Sequence, residues 1–163
     1  MSVIDELLLR HEERMRDFRA GALPITPSLA VAIVTCMDAR ILLPEVLGLR
    51  PGDANVIRNA GATVTDDVLR TLALSHHLLK TQAVMLVGHT GCGLLNLDEP
   101  KFREGLIQLT GADAPQTFGA FTDLQEHVRA QVARVRTHPW LADLKEVRGF
   151  VYDVQTSRIT EIL

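Results

Sequence analysis

The chain has 163 residues, 47% of them apolar and 23% charged, which is the make-up of a folded domain with a real core. Seventeen basic residues against twenty acidic ones leave a net charge of −3, so no basic excess is on offer to nucleic acid phosphates. No apolar run approaches the roughly 20 residues that a membrane span needs.

The N-terminus turns acidic at once, through Asp5 and Glu6, where a secretory leader would be basic and then apolar. A reducing, cytoplasmic setting is therefore expected. Residues 2–20 read as an amphipathic helix. Ser2 and Asp5 form its N-cap pair, and Ile4, Leu7, Leu8, His11, Met15 and Phe18 recur at helical spacing. Gly21 to Pro27 break it. Leu29 to Val34 is a continuous apolar run, the pattern of a strand buried on both faces. A short helix over 42–47 follows, then a strand over 54–57. Thr63 with Asp66 opens a helix to about Lys80, and a third apolar strand covers 83–87. Residues 95–119 are less regular, with a helix over about 101–109. Phe121, Leu124, Val128, Val132 and Val135 mark another helix, closed before Pro139. Strands over 149–154 and 158–162 flank a polar turn and predict a hairpin.

This alternation predicts an α/β fold with a mostly parallel central sheet of 2-1-3-4 type order, flanked by helices. A C-terminal antiparallel hairpin closes one edge. Residues 1–163 read as one domain, with an N-terminal helical arm over 1–22 and an α/β core over 28–163. Such sheets bind ligands beyond the C-terminal ends of their strands. Three polar motifs stand there: Cys36-Met37-Asp38-Ala39-Arg40, Arg58-Asn59-Ala60-Gly61 and His89-Thr90-Gly91-Cys92-Gly93.

Cys36, His89 and Cys92 together offer two thiolates and an imidazole, a donor set that suits zinc. Three protein ligands leave a fourth position open, the pattern of a catalytic site. Each thiol taken alone also reads as a core cysteine. Asp38 and Arg40 stand two apart, so in extended chain both point to the side of Cys36. Pairing keeps such a carboxylate charged and oriented. It could orient a metal-activated water or swing in as a fourth ligand. Alone, the pair is also an ordinary strand-end salt bridge.

The three motifs, in this order and spacing, resemble the β-class carbonic anhydrases, over roughly residues 25–162. The short length is similar to that family's compact branch. The resemblance implies zinc-dependent reversible hydration of carbon dioxide to bicarbonate and a proton, with one zinc ion per chain. It implies Cys36, His89 and Cys92 as ligands, and Asp38 and Arg40 as a catalytic dyad. Asp38 is the fourth ligand in a closed state. Asn59, Ala60 and Gly61 would line the substrate pocket. It also implies a homodimer, or a tetramer, with residues 2–20 packed across the interface. Pro27 stands near the position where plant-type members carry a glutamine that helps hold the substrate oxygen. With two thiolates on the metal, activity is expected to rise above neutral pH.

Three other readings share these residues. One is a hydrolase of carbonyl sulfide or carbon disulfide on the same zinc site. Another is a zinc-free cysteine hydrolase using Cys92 and His89, since Cys92 between two glycines resembles a nucleophile elbow. The third is a non-catalytic zinc protein or sensor. His76 and His77 lack acids or thiols at ligand spacing and, like His11, His127 and His138, are expected at the surface or in dimer contacts. No membrane or nucleic acid partner is expected.

Overall fold

The computed structural model describes residues 2–18 and 21–163. Helix α1 spans Val3–Met15 and opens on the expected reciprocal cap. The Asp5 amide donates to Ser2 Oγ at 3.1 Å, and the Ser2 amide donates to Asp5 Oδ2 at 2.7 Å. The helix stops short of the expected residue 20, and residues 19–20 lie outside the described ones. Past Met15 the chain tightens into three-residue bonds, Asp17 to Arg14 and Phe18 to Met15. No residue of α1 is buried, so the arm leaves its apolar stripe exposed.

Five strands form one sheet: β1 Val31–Cys36, β2 Ala54–Asn59, β3 Ala83–His89, β4 Glu146–Tyr152 and β5 Ile159–Ile162. Their order is β2-β1-β3-β4-β5. The first four are parallel, and β5 returns antiparallel to β4, as the apolar runs and the hairpin signal predict. Strand β1 begins two residues later than expected. Ala30 donates back to the Pro27 carbonyl and takes a positive φ of 49°, which keeps Leu29 and Ala30 in a turn. Strand β3 runs on to His89, delivering that ring to the sheet's C-terminal end.

The helices that follow are α2 Leu43–Leu47, α3 Asp66–His77, α4 Glu99–Thr110 and α5 Leu124–Arg136. Thr65, not Thr63, caps α3, accepting from the Val68 amide. Thr63 is already engaged: its amide donates to Asn59 Oδ1 at 2.9 Å, and its carbonyl accepts from Asn59 Nδ2 at 2.6 Å. A local side-chain turn here competes with the cap.

Alternate side chains of the central strands fill two cores. Ala32, Val34, Val84 and Leu86 pack with Leu72 of α3 and Val128, Val132 and Val135 of α5. Ile33 and Val87 lie in the other, with Ile41, Leu43 and Tyr152. Helix α5 rides close on the sheet because glycines lie beneath it. A Cβ at Gly149 would stand 2.6 Å from Val128 Cγ1 and 2.8 Å from Val132 Cγ2. Gly149→Ala should therefore destabilise the fold by about 1–3 kcal/mol through overpacking. Denaturant unfolding checks this, and an unchanged midpoint contradicts the packing account.

Among the described residues, no helix is long and apolar enough to cross a membrane.

Candidate active site

The sheet register sets the site. Cys36 pairs with Asn59 at the ends of β1 and β2, and His89 ends β3 beside Tyr152. The next turn carries Cys92. Gly91, at a φ of 65°, makes that turn in the left-handed region that suits glycine. Both sulfurs and a His89 ring nitrogen then lie within 4.8 Å of one another, and all three residues are buried.

These residues fit a soft divalent metal. His89 is 1% exposed, and its Nδ1 hydrogen-bonds the Thr90 carbonyl at 3.0 Å. A carbonyl only accepts, so Nδ1 carries the proton and Nε2 presents a lone pair. Nε2 is buried and has no hydrogen-bond partner. Leaving such an atom bare costs free energy that a cation would recover. Burial lowers the His89 pKa, which keeps the ring neutral, as a ligand must be. Burial, with Cys36 close by, raises the Cys92 thiol above its ordinary value. Two thiolates side by side in such a place call for a positive ion to hold them ionised.

Asp38 stands at the mouth. Its Oδ1 accepts from the Arg40 amide and from Arg40 Nε, each at 2.9 Å. Its Oδ2 accepts from Arg40 Nη2 at 2.7 Å. The guanidinium holds the carboxyl well below the usual carboxylate range, so Asp38 is ionised at any working pH. Arg40 Nη2 also donates to the Gly91 carbonyl at 2.9 Å, tying the dyad to the Cys92 turn. Asp38 Oδ2 lies 3.8 Å from His89 Nε2. Asp38 is thus turned to Arg40 and is not in the three-donor cluster.

Arg58, quoted in the second motif without a role, braces this loop. Its Nε donates to the Cys36 carbonyl at 3.0 Å and its Nη2 to the Asp38 carbonyl at 2.7 Å. Of the expected pocket residues, Ala60 and Gly61 line a cavity of about 500 Å³ that also touches Cys36, Asp38 and Cys92. The Asn59 side chain is turned instead to the Thr63 backbone, where it shapes the turn. Gly61 takes a φ of 73°, and a Cβ there would meet Leu94 Cδ1 at 2.8 Å. The floor at Gly61 is therefore bare backbone with the Leu94 side chain packed against it.

His127 is not a surface residue. It is half-buried, stacks on Phe121 at 4.0 Å between ring centres, and donates Nε2–H to the Gly61 carbonyl at 2.9 Å. His76 is buried too, with Nδ1 2.6 Å from the Thr81 carbonyl. Burial holds His127 below the ordinary histidine pKa. Between its folded value and the unfolded value near 6.5, the unfolded chain binds more protons. Its share of stability is full above that window and falls as pH drops through it. His127→Gln should lessen the loss of Tm between about pH 7.5 and about pH 5.5. An equal loss in both proteins contradicts a buried neutral ring.

Three soft donors and an ionised acid thus converge at the C-terminal ends of parallel strands, which defines an α/β protein built around a mononuclear metal site. A family model described as carbonic anhydrase matches residues 31–159. The chain belongs to the carbonic anhydrase family, in its β class. It is 39% identical to β-carbonic anhydrase 1 of Mycobacterium tuberculosis over 162 residues, 99% of each chain. The crystal structure of carbonic anhydrase from Streptococcus mutans superposes with a TM-score of 0.95 at 38% identity, covering 100% of this chain and 99% of that one. A carbon disulfide hydrolase of Saccharolobus solfataricus is 28% identical, over 96% of this chain and 89% of its own.

Proposed function

We propose that this chain is a zinc-dependent carbonic anhydrase that interconverts carbon dioxide and water with bicarbonate and a proton. One observation carries the reading: the bare, buried Nε2 of His89 faces two buried thiols, with an ionised Asp38 oxygen 3.8 Å away. Cys36, His89 and Cys92 would hold zinc, which when bound makes water a nucleophile near neutral pH.

The chain's own residues do the rest. The Thr90 carbonyl fixes the His89 tautomer. Asp38 Oδ1 is saturated by two Arg40 donors, whereas Oδ2 takes one. Oδ2 therefore has a free lone pair on the side of His89, and accepts a hydrogen bond from the attacking water. That bond aims the water's remaining lone pair at the substrate carbon. Arg40 keeps Asp38 charged and back from the ligands. Ionised to thiolates, Cys36 and Cys92 would balance the charge of a divalent ion, which favours release of an anionic product.

The apolar lining contributed by Leu94, Leu97 and Phe118 favours a second reading on the same ligands, in which carbonyl sulfide or carbon disulfide is hydrolysed. Assaying both substrates on one zinc-loaded preparation separates them. Carbon dioxide hydration should exceed carbon disulfide turnover. Turnover of carbon disulfide alone would reverse the assignment.

The exposed apolar stripe of α1 supports a homodimer or a tetramer in which the arm is covered. Two free thiols used as ligands support a reducing, cytoplasmic location.

A further inference from the structure

Strand β1 stops at Cys36, yet its hydrogen bonds with β2 continue past that residue. The Met37 amide donates to the Asn59 carbonyl at 2.8 Å, one step beyond the last paired residues, Cys36 and Asn59. The Arg58 side chain then takes over from the main chain. Its two bonds, to the Cys36 carbonyl at 3.0 Å and the Asp38 carbonyl at 2.7 Å, bracket Met37. A guanidinium is a rigid planar fork, so it fixes the spacing of the two carbonyls as well as their distance from β2. Among the described residues no carboxylate pairs with Arg58, so no salt bridge draws the fork elsewhere.

The Asp38 side chain is therefore anchored at both ends. Its main chain hangs on Arg58, and its carboxylate on Arg40, which is itself tied to the Gly91 carbonyl at 2.9 Å. Only the side-chain torsions of Asp38 lie between the two anchors. Arg40 belongs to the same loop as Asp38, whereas Arg58 belongs to the neighbouring strand and ties that loop to the sheet. The margin is small, since Asp38 Oδ2 already lies 3.8 Å from His89 Nε2. A loop released from β2 can carry the carboxylate that distance into the donor cluster, where a cation would hold it.

We propose that Arg58 is a positioning residue that keeps the site open, by holding the Asp38 main chain where the carboxylate meets Arg40 rather than the metal. The proposal rests on the reading of the site given above. The test is calorimetric binding of thiocyanate, an anion that takes an open metal position, to the zinc-loaded full chain at one fixed pH. Arg58→Ala should weaken thiocyanate about tenfold, as when about one tenth of the molecules remain open. Zinc affinity, read by chelator competition, should not fall. In an Asp38→Ala background no carboxylate is left to close the site, so adding Arg58→Ala should then leave thiocyanate affinity unchanged. Arg58→Lys should fall between the wild type and Arg58→Ala, because an ammonium cannot span both carbonyls.

Unmoved thiocyanate affinity in Arg58→Ala overturns the proposal. So does a loss that persists in the Asp38→Ala background, which would place Arg58 against the anion or in general support of the fold. Loss of zinc in Arg58→Ala is equally contrary, because Arg58 would then serve the ligand Cys36. If Arg58→Ala does not fold, Arg58→Lys carries the same comparison, and an unmoved affinity there is contrary too. If the zinc-loaded wild type lacked carbon dioxide hydration, the functional reading would fall while the thiocyanate comparison still judged Arg58.

Discussion

Arg40→Ala should lose carbon dioxide hydration by at least about a hundredfold, the low end of what a positioned proton-accepting group contributes. It should keep its zinc. Three hydrogen bonds from Arg40 hold Asp38 in place, two of them to Oδ1. The backbone one survives the substitution, and the two from the guanidinium vanish. Asp38 Oδ2 is then free at 3.8 Å from His89 Nε2, close enough to compete for the same cation. The site closes on its own carboxylate. Arg40→Lys should recover only part of the rate, because an ammonium cannot reproduce the guanidinium fork. Metal analysis beside stopped-flow rates reads both halves. Full activity in Arg40→Ala sinks the dyad, and loss of zinc would show that Arg40 supports the ligands instead.

The second large effect concerns the ligands. Cys92→Ser should weaken zinc binding by more than about a hundredfold, since loss of an outer partner alone already costs 10–100-fold. A serine hydroxyl stays protonated at neutral pH and is a poor match for zinc. The neighbouring buried Cys36 and His89 would be left with an incomplete shell. Competition with a chromophoric chelator measures the affinity. Removing zinc from the wild type should also lower Tm, because a ligand bound only by the folded state stabilises by about 4 kcal/mol at a thousand times its Kd. Unchanged zinc affinity in Cys92→Ser contradicts the ligand assignment.

The strands and the donor set were legible because they are local. A buried parallel strand declares itself as an apolar run, and Cys36, Asp38 and Arg40 share one strand end. His89 and Cys92 share one turn. Only the adjacency of β1 and β3 had to be supplied, and the parallel topology supplies it. Contacts made across long separations were not legible. His127 reaches Gly61 from 66 residues away, and nothing near His127 announces that bond. Glu99 looks like an acid suited to a helix start, yet its partners lie 18 to 21 residues on. The cap of α3 moved from Thr63 to Thr65 because Asn59 had already claimed Thr63. The end of α1 lies on a helix with no buried residue, so no core contact sets it.

In the proposed mechanism this cluster hydrates carbon dioxide through zinc, with Asp38 turned to Arg40 and away from the ligands. Stopped-flow hydration by the zinc-loaded protein, from about pH 6.5 to about pH 9, tests it most directly. Two thiolate ligands should place the rise in rate above neutral pH, and Asp38, ionised throughout, should add no step of its own. A rate that climbs through that range is the predicted result. No hydration at any pH with zinc bound, or a rate flat across the range, would contradict the account.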